Sequence, residues 1–192
     1  MLAPLDRSSD AELMRRIASG DRQASAALVE QHQAGVLRFA RALVGDPAAA
    51  EDVLQDTFIA ALQNAGSFRA EASVKTWLYT IARHEALRRR RRAARVDLEP
   101  DLEKLGTAAG WGAEEPDAAL ERREARAALQ RAFEALEEED KTVLLLRDIE
   151  GLDGAEAARV LDLSLAAMKS RLHRARLRLL SHLRSEECPH GR

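Results

Sequence analysis

At 192 residues the chain has room for one large domain or two small ones, and 46% apolar residues suffice for ordinary cores, but with aromatics at only 4% those cores must be built from Leu, Ala, Val and Ile. Five prolines, ten glycines and an abundance of Ala, Leu, Glu and Arg leave no alternating run for a strand, so an all-α fold is expected. No apolar stretch nears the ~18 residues of a membrane span, no cleavable signal pattern opens the chain, and the single Cys188 excludes an internal disulfide, which together lead us to expect a reducing cytoplasm.

In chain order, Ser8 or Ser9 can cap a first helix through Ser19, stopped at Gly20. Asp21 can cap a second, from Arg22 to about Val44, with Ala27, Leu28, Val36, Leu37, Phe39, Ala40 and Leu43 among its apolar positions and Gly45 after its end. Asp46-Pro47 opens a third, since proline is well tolerated at the first helical position. That helix turns Val53, Leu54, Thr57, Phe58, Ala61 and Leu62 inward and leaves Glu51, Asp52, Gln55, Asp56, Ile59 and Gln63 elsewhere on its circumference. Acids near a helix N-terminus suit the dipole, but an outward Ile59 suggests a patch for another protein.

A loop over 64–72 precedes a fourth helix, from Ser73 to about Ala93, whose apolar face is Val74, Trp77, Leu78, Ile81 and Ala82. Trp77 is read there as a core residue in preference to a wedge between bases. Arg83 and the run Arg88, Arg89, Arg90, Arg91 and Arg92 come next. A helix dipole acts over about one turn, so five consecutive arginines exceed its needs and read as a phosphate-binding stripe.

Residues 96–117 hold Pro100, Gly106, Gly110, Gly112 and Pro116 without a sustained helical period, and read as an irregular linker whose one large apolar residue is Trp111. Charge changes sign across it. Residues 1–95 carry 15 Lys/Arg against 11 Asp/Glu, whereas residues 96–118 carry one Lys against seven acids, so a basic lobe gives way to an acidic connector. The positive pieces would attract a polyanion in a salt-dependent way.

Residues 151–184 form the most informative segment. A short helix with Ala155, Ala158, Val160 and Leu161 as its apolar face meets the turn Asp162-Leu163-Ser164, and Ser164 can cap a second, longer helix. Met168, Leu172, Ala175 and Leu179 then recur as one buried stripe, with Lys169, Ser170, Arg171, His173, Arg174, Arg176 and Arg178 off it. Two small helices joined by a tight turn, the second apolar on one side and basic on the other, describe a helix-turn-helix entering a DNA major groove.

The order of parts resembles the extracytoplasmic-function (ECF) subgroup of bacterial sigma factors. The resemblance rests on DPAAAEDVLQDTFIAAL, then FRAEASVKTWLYTIARHEALRRRRR, then the acidic linker and SRLHRAR, and spans roughly residues 10–184. It implies two small helical domains: a four-helix N-terminal sigma domain (10–95) and a helix-turn-helix domain (118–184), joined by the linker (96–117) and trailed by a flexible tail (185–192). It further implies that Glu51, Asp52, Gln55, Asp56 and Ile59 grip the clamp coiled coil of the largest subunit of core RNA polymerase. Phe68, Arg69, Lys75 and Thr76 would capture an unstacked base of the minus-ten element, with Arg83, Arg88, Arg89 and Arg90, and beyond them Arg91 and Arg92, holding phosphates. Lys169, Ser170, Arg171 and Arg174 would contact the minus-thirty-five element. The acidic linker would thread toward the RNA exit path. An anti-sigma factor would hold the protein inactive until a stress or environmental signal.

Several residues depart from the family pattern: Gly154 and Ala157 in the first helix, Asp162 in the turn, Ala167 and Met168 in the second helix. No phosphate-cradling glycine loop, HExxH or Ser/His/Asp set occurs, and no enzymatic activity, cofactor or metal is expected. His182, Cys188 and His190, with Glu186 or Glu187, lack the paired spacing of a zinc site and read as a polar tail, while His32, His84 and His173 need no special role. A self-sufficient helix-turn-helix regulator would share the C-terminal motif, but would need a dimer interface or signal-receiving domain that the N-terminal module does not resemble. A helical adaptor binding only proteins would show no salt dependence.

Overall fold

The computed structural model describes residues 7–96 and 119–187, and among them every regular element is helical. Trp111, the rest of the linker, Cys188 and His190 lie outside the described residues. No described helix is long and apolar enough to cross a membrane.

The N-terminal domain is built from α1 (Arg7–Ala18), α2 (Arg22–Val44), α3 (Pro47–Gln63) and α4 (Val74–Val96), with a single 3-10 turn at Ala65–Ser67. Short polar side chains set most boundaries. The Asp21 carboxylate accepts from the backbone N–H of Gln23 at 2.9 Å and Ala24 at 3.1 Å, and Arg16 clamps it from α1 at 2.7 Å. Those bonds hold the Asp21 carboxyl below the usual carboxylate range, the Ala24 N–H foremost and the Arg16 guanidinium next. Asp46 accepts from Ala49 N at 2.7 Å, with Pro47 at the first position of α3.

The start of α1 differs from expectation, because Ser8 and Ser9 lie inside the helix. Asp10 instead looks outward and accepts from Val74 N at 2.8 Å, which fastens α1 to the first turn of α4. Ser73 is the residue before α4, and its hydroxyl accepts from Thr76 N at 3.1 Å. Helices α2, α3 and α4 pack side by side around Leu28, Val36, Phe39, Val53, Leu78 and Tyr79, all buried. Phe39 and Tyr79 meet edge to face at 5.1 Å. Leu54, Leu62, Trp77 and Ile81, read as core, are only partly buried at its margin.

The C-terminal domain comprises α5 (Ala119–Glu134), α6 (Glu138–Leu144), α7 (Gly154–Leu161) and α8 (Leu165–Glu187). A single π turn, Leu145–Ile149, extends α6. Helix α7 opens on a capping box: the Asp153 carboxylate accepts from Glu156 N at 2.8 Å, and the Glu156 carboxylate accepts from Asp153 N at 3.0 Å. Asp153→Ala should destabilise the domain by about 1 kcal/mol and lower the thermal midpoint by roughly 3 °C, whereas Asp153→Ser should retain most of it. An unchanged melting curve for the alanine variant would mean that the cap contributes nothing.

The apolar face of α7 is shifted from the sequence reading. Ala157, Ala158, Val160 and Leu161 are buried and Ala155 is exposed, because the helix starts at Gly154 and the inward arc runs through 157, 158 and 161. Asp162 ends α7 in the left-handed region at φ 56° and ψ 48°, the conformation expected of the residue that replaces a turn glycine. Ser164 caps α8 by accepting from Ala167 N at 3.1 Å. Met168, Leu172 and Ala175 are buried and Leu179 partly so, as the stripe predicts. Two departures compensate in volume: a Cβ on Gly154 would stand 3.3 Å from Met168 Cε, so the longer methionine fills room that a side chain at 154 would take.

The two domains joined by the linker pack on one another. Helix α4 packs against α7 and α2 against α6, and one cluster of buried apolar residues runs through both domains.

Candidate nucleic-acid and polymerase-binding surfaces

On α3, Glu51, Gln55 and Ile59 recur at intervals of one helical turn and are exposed, with Ile59 at 45%. Asp52, also exposed, and the half-buried Asp56 adjoin them, so all five candidates share one surface. That surface is not electrostatically independent of the arginine run. Arg89 on α4 pairs with Asp52 at 3.1 Å and Asp56 at 3.6 Å, and Arg88 reaches Asp56 at 3.8 Å and also pairs with Glu85. Residues read as contacts for two different partners thus neutralise one another across two packed helices. Arg90 pairs with Glu138 of the C-terminal domain at 2.7 Å, while Arg91 and Arg92 are exposed without an ion pair among the described residues. Arg83 is half-buried. Exposed pairs of this kind contribute about 1 kcal/mol or less and exchange readily for another partner.

The loop before α4 forms one wall of an open cleft lined by Phe68, Arg69, Ala70, Trp77, Thr80 and Arg159, among others. Phe68 and Trp77 face each other at 5.4 Å, inclined by 60°. Trp77 packs on the margin of the core, as read from the sequence, and also lines the cleft. Ala70 has φ 55°, a left-handed backbone that alanine adopts only under constraint. Arg69 is exposed. Thr76 is fully buried, and its hydroxyl shares a hydrogen bond with Ser73 at 2.8 Å, so its side chain does not project from the surface as the other candidates do.

Lys75 points at the other domain. Its ammonium donates to the backbone carbonyl of Glu150 at 2.6 Å and pairs with the Glu150 carboxylate at 3.1 Å. Arg38 on α2 holds the same carboxylate at 2.5 Å, and the Tyr79 hydroxyl also donates to it. Burial disfavours the charged form of Glu150, yet the bonds from Arg38, Tyr79 and Lys75 prevail and hold its pKa below the ordinary value. Burial, and next the charge of Glu150, push the Tyr79 phenol far up. Gly35 makes room for this meeting, since a Cβ there would collide with the Tyr79 hydroxyl and stand 3.0 Å from the Glu150 carboxylate. Two further bonds cross the junction: the Ser73 hydroxyl donates to Glu156 at 3.1 Å, and Arg159 donates to the Glu71 carbonyl at 3.1 Å beside the cleft. Gly35, Arg38, Tyr79 and Glu150 escape sequence reasoning, because a glutamate before Gly151 reads as an ordinary solvated turn.

On α8 the cations divide. Lys169, Ser170, His173 and Arg174 are exposed, and neither Lys169 nor Arg174 makes an ion pair among the described residues. Arg171 is half-buried and paired with Glu139 at 3.1 Å. Arg176 is held by Asp148 at 2.5 Å and Arg178 by the buried Asp140 at 2.5 Å, so these two tie α8 to the α6 segment.

Comparison with known proteins covers both halves. Residues 28–96 match the family described as Sigma-70 region 2, and residues 126–179 match Sigma-70, region 4. The RNA polymerase sigma-H factor of Pseudomonas aeruginosa is 32% identical over 178 residues, covering 90% of this chain and 92% of that protein. The ECF RNA polymerase sigma factor SigM of Mycobacterium tuberculosis is 36% identical over 171 residues, covering 89% and 83%. Among solved structures, CnrH in complex with the cytosolic domain of CnrY is similar with a TM-score of 0.63 at 29% identity, covering 94% of this chain and 99% of that one. The sigma factor RpoE in complex with the anti-sigma factor NepR, from Bartonella quintana, is similar with a TM-score of 0.66 at 26% identity, covering 81% and 94%.

Proposed function

Because this chain belongs to the extracytoplasmic-function sigma factors, which direct RNA polymerase to promoters, we propose that its two helical domains divide that work between the surfaces described above. The Glu51–Ile59 face of α3 binds the clamp coiled coil of the largest polymerase subunit. Phe68, Arg69, Lys75 and the Trp77 cleft take an unstacked base of the minus-ten element, with the α4 arginines on neighbouring phosphates. Lys169, Ser170 and Arg174 of α8 read the minus-thirty-five element, and Arg171 joins them if it leaves Glu139. The observation that carries this reading is the division of α8: in its N-terminal half, the part that enters a groove, Lys169 and Arg174 are exposed and unpaired among the described residues, whereas Arg176 and Arg178 are held by Asp148 and Asp140.

Neither domain needs to hold DNA tightly alone, because polymerase fixes their spacing and converts two weak contacts into one strong one. The chain itself performs no catalytic step and works in the cytoplasm with polymerase. The solved complex of RpoE with NepR supports an anti-sigma partner for this chain as well. A self-sufficient regulator is not favoured, since both matched segments are sigma regions.

Run-off transcription with core polymerase plus this protein on genomic fragments tests the reading. Transcripts should start downstream of a shared pair of motifs. Ile59→Asp places a charge in the centre of the α3 face without touching the core, and should lower polymerase binding by about tenfold or more. Full binding by that variant would move the polymerase contact elsewhere.

A further inference from the structure

We propose that α1 is a splint for the loop that captures the minus-ten base, and that Asp10 is the residue through which it positions that loop. This role rests on the function proposed above for what the loop binds, whereas the bracing itself is geometric. Helix α1 is anchored by Met14 and Ile17, both buried. From there it fastens the loop at both ends. Its C-terminal end lies against the 3-10 turn at Ala65–Ser67, where Ala65 is buried and a Cβ on Gly66 would stand 3.9 Å from the Ala18 Cβ. Its first turn holds the other end, since the Asp10 carboxylate accepts from the Val74 N–H at 2.8 Å. Ser73 caps α4 in the ordinary way through Thr76 N, and its carbonyl accepts from Trp77 N. The N–H of Val74, the first residue of α4, is left without a partner in its own helix and takes one from α1.

Asp10 and Ala18 stand about 12 Å apart along α1 at the usual helical rise. The chain from Gly66 to Val74 could span about 27 Å if extended. Tying both of its ends to one short helix therefore forces the loop into a bulge, and the bulge carries Phe68, Arg69 and Ala70 of the cleft wall. A left-handed alanine such as Ala70, with φ 55°, persists only where its surroundings impose it, and the two anchors supply that constraint. The same bulge sets Phe68 at 5.4 Å from Trp77. Trp77 lies one turn beyond Val74 on α4, so the Asp10 bond fixes the start of the helix that bears one wall of the cleft together with the end of the loop that forms the other. Arg159 also touches the loop, at the Glu71 carbonyl, but from the C-terminal domain; within the N-terminal domain α1 holds both ends. Asp10 is not among the residues lining the cleft, and acts on a captured base only through the loop.

Hydrogen-exchange mass spectrometry and oligonucleotide binding, both on the full chain, test the splint. Asp10→Ala removes the acceptor, Asp10→Asn keeps an acceptor oxygen at the same reach without the charge, and Asp10→Glu keeps the charge on an arm one methylene longer. Glu12→Ala, which removes an exposed acid of α1 paired with Arg15, is the control and should match the parent throughout. Amide exchange over residues 64–74 should quicken about five- to tenfold in Asp10→Ala, as the loss of one capping bond implies, while α2 and α3 keep their parent rates. Holoenzyme formed with Asp10→Ala should bind a single-stranded oligonucleotide bearing the nontemplate minus-ten sequence, mapped by run-off transcription, less tightly by about the same factor, with its affinity for core polymerase unchanged. Asp10→Asn should restore most of both losses and Asp10→Glu less, the order set by reach and the reverse of the order set by charge. Should Asp10→Ala fail to fold, the other two variants carry the comparison. Parent exchange rates over 64–74 in Asp10→Ala would overturn the splint. So would Asp10→Glu matching the parent while Asp10→Asn loses affinity, because charge and not position would then be at work. Faster exchange with oligonucleotide affinity intact would overturn the role in base capture. Faster exchange in a protein whose parent holoenzyme retains no oligonucleotide would uphold the splint and count only against the assigned cleft.

Discussion

Replacing Lys169 and Arg174 together by alanine should reduce promoter-directed transcription by about two orders of magnitude. Each is exposed on the outer face of α8 with no protein carboxylate to satisfy it among the described residues, so its charge is available to DNA. A base or phosphate contact of this type contributes about 1–3 kcal/mol, and about 1.4 kcal/mol is tenfold in affinity. Two lost contacts near the lower end give the stated factor. The loss should flatten the salt dependence of holoenzyme binding to promoter duplex by about one unit of log-log slope for each phosphate contact removed. Arg176→Ala makes the contrasting case, since that guanidinium is bound to Asp148. It should lower the melting temperature slightly and leave the salt slope alone. Were Arg176→Ala to flatten the slope and the double variant to leave it unchanged, the assignment of the DNA-facing side would be reversed.

Phe39→Ala should destabilise the protein by about 3–5 kcal/mol and lower the thermal midpoint by roughly 10 °C. Phe39 is fully buried on α2, in edge-to-face contact with Tyr79, and belongs to the cluster that continues into the C-terminal domain. The lost aromatic volume leaves a cavity beside Tyr79, whose hydroxyl serves Glu150. The damage should therefore spread: amide exchange should quicken in α6 and α7 as well as in α2 and α4. Phe39→Leu, which keeps most of the volume, should lose less than half as much. Circular dichroism melts paired with exchange mass spectrometry distinguish the outcomes. Exchange confined to the N-terminal domain would show that the two cores are energetically separate.

Features that local chemistry decides are legible in the sequence. The caps at Asp21, Asp46 and Ser164, the proline start of α3 and the left-handed turn at Asp162 depend on a few neighbouring residues, and sequence and structure agree on them. The stripe of α8 is legible because helical period alone fixes it. The Asp153–Glu156 capping box is also written in the sequence, as an acid three residues before a glutamate, although the apolar pattern of α7 draws attention away from it. Other features cannot be found this way. Whether Arg176 faces DNA or Asp148 depends on a residue 28 positions away. The burial of Glu150 depends on Arg38, 112 positions away, and on a glycine that serves by its lack of bulk. The ion pairs of Asp52 and Asp56 with Arg88 and Arg89 likewise arise from helix packing and from nothing in either segment.

Those last pairs carry a thermodynamic corollary. Whatever ligand draws Asp52 and Asp56 to itself leaves Arg89 with uncompensated positive charge and Arg88 with Glu85 alone, and whatever polyanion claims the arginines frees the carboxylates in turn. The two events are reciprocal by linkage, so a protein arriving on one helix sharpens the appetite of its neighbour for nucleic acid, without any change of backbone shape.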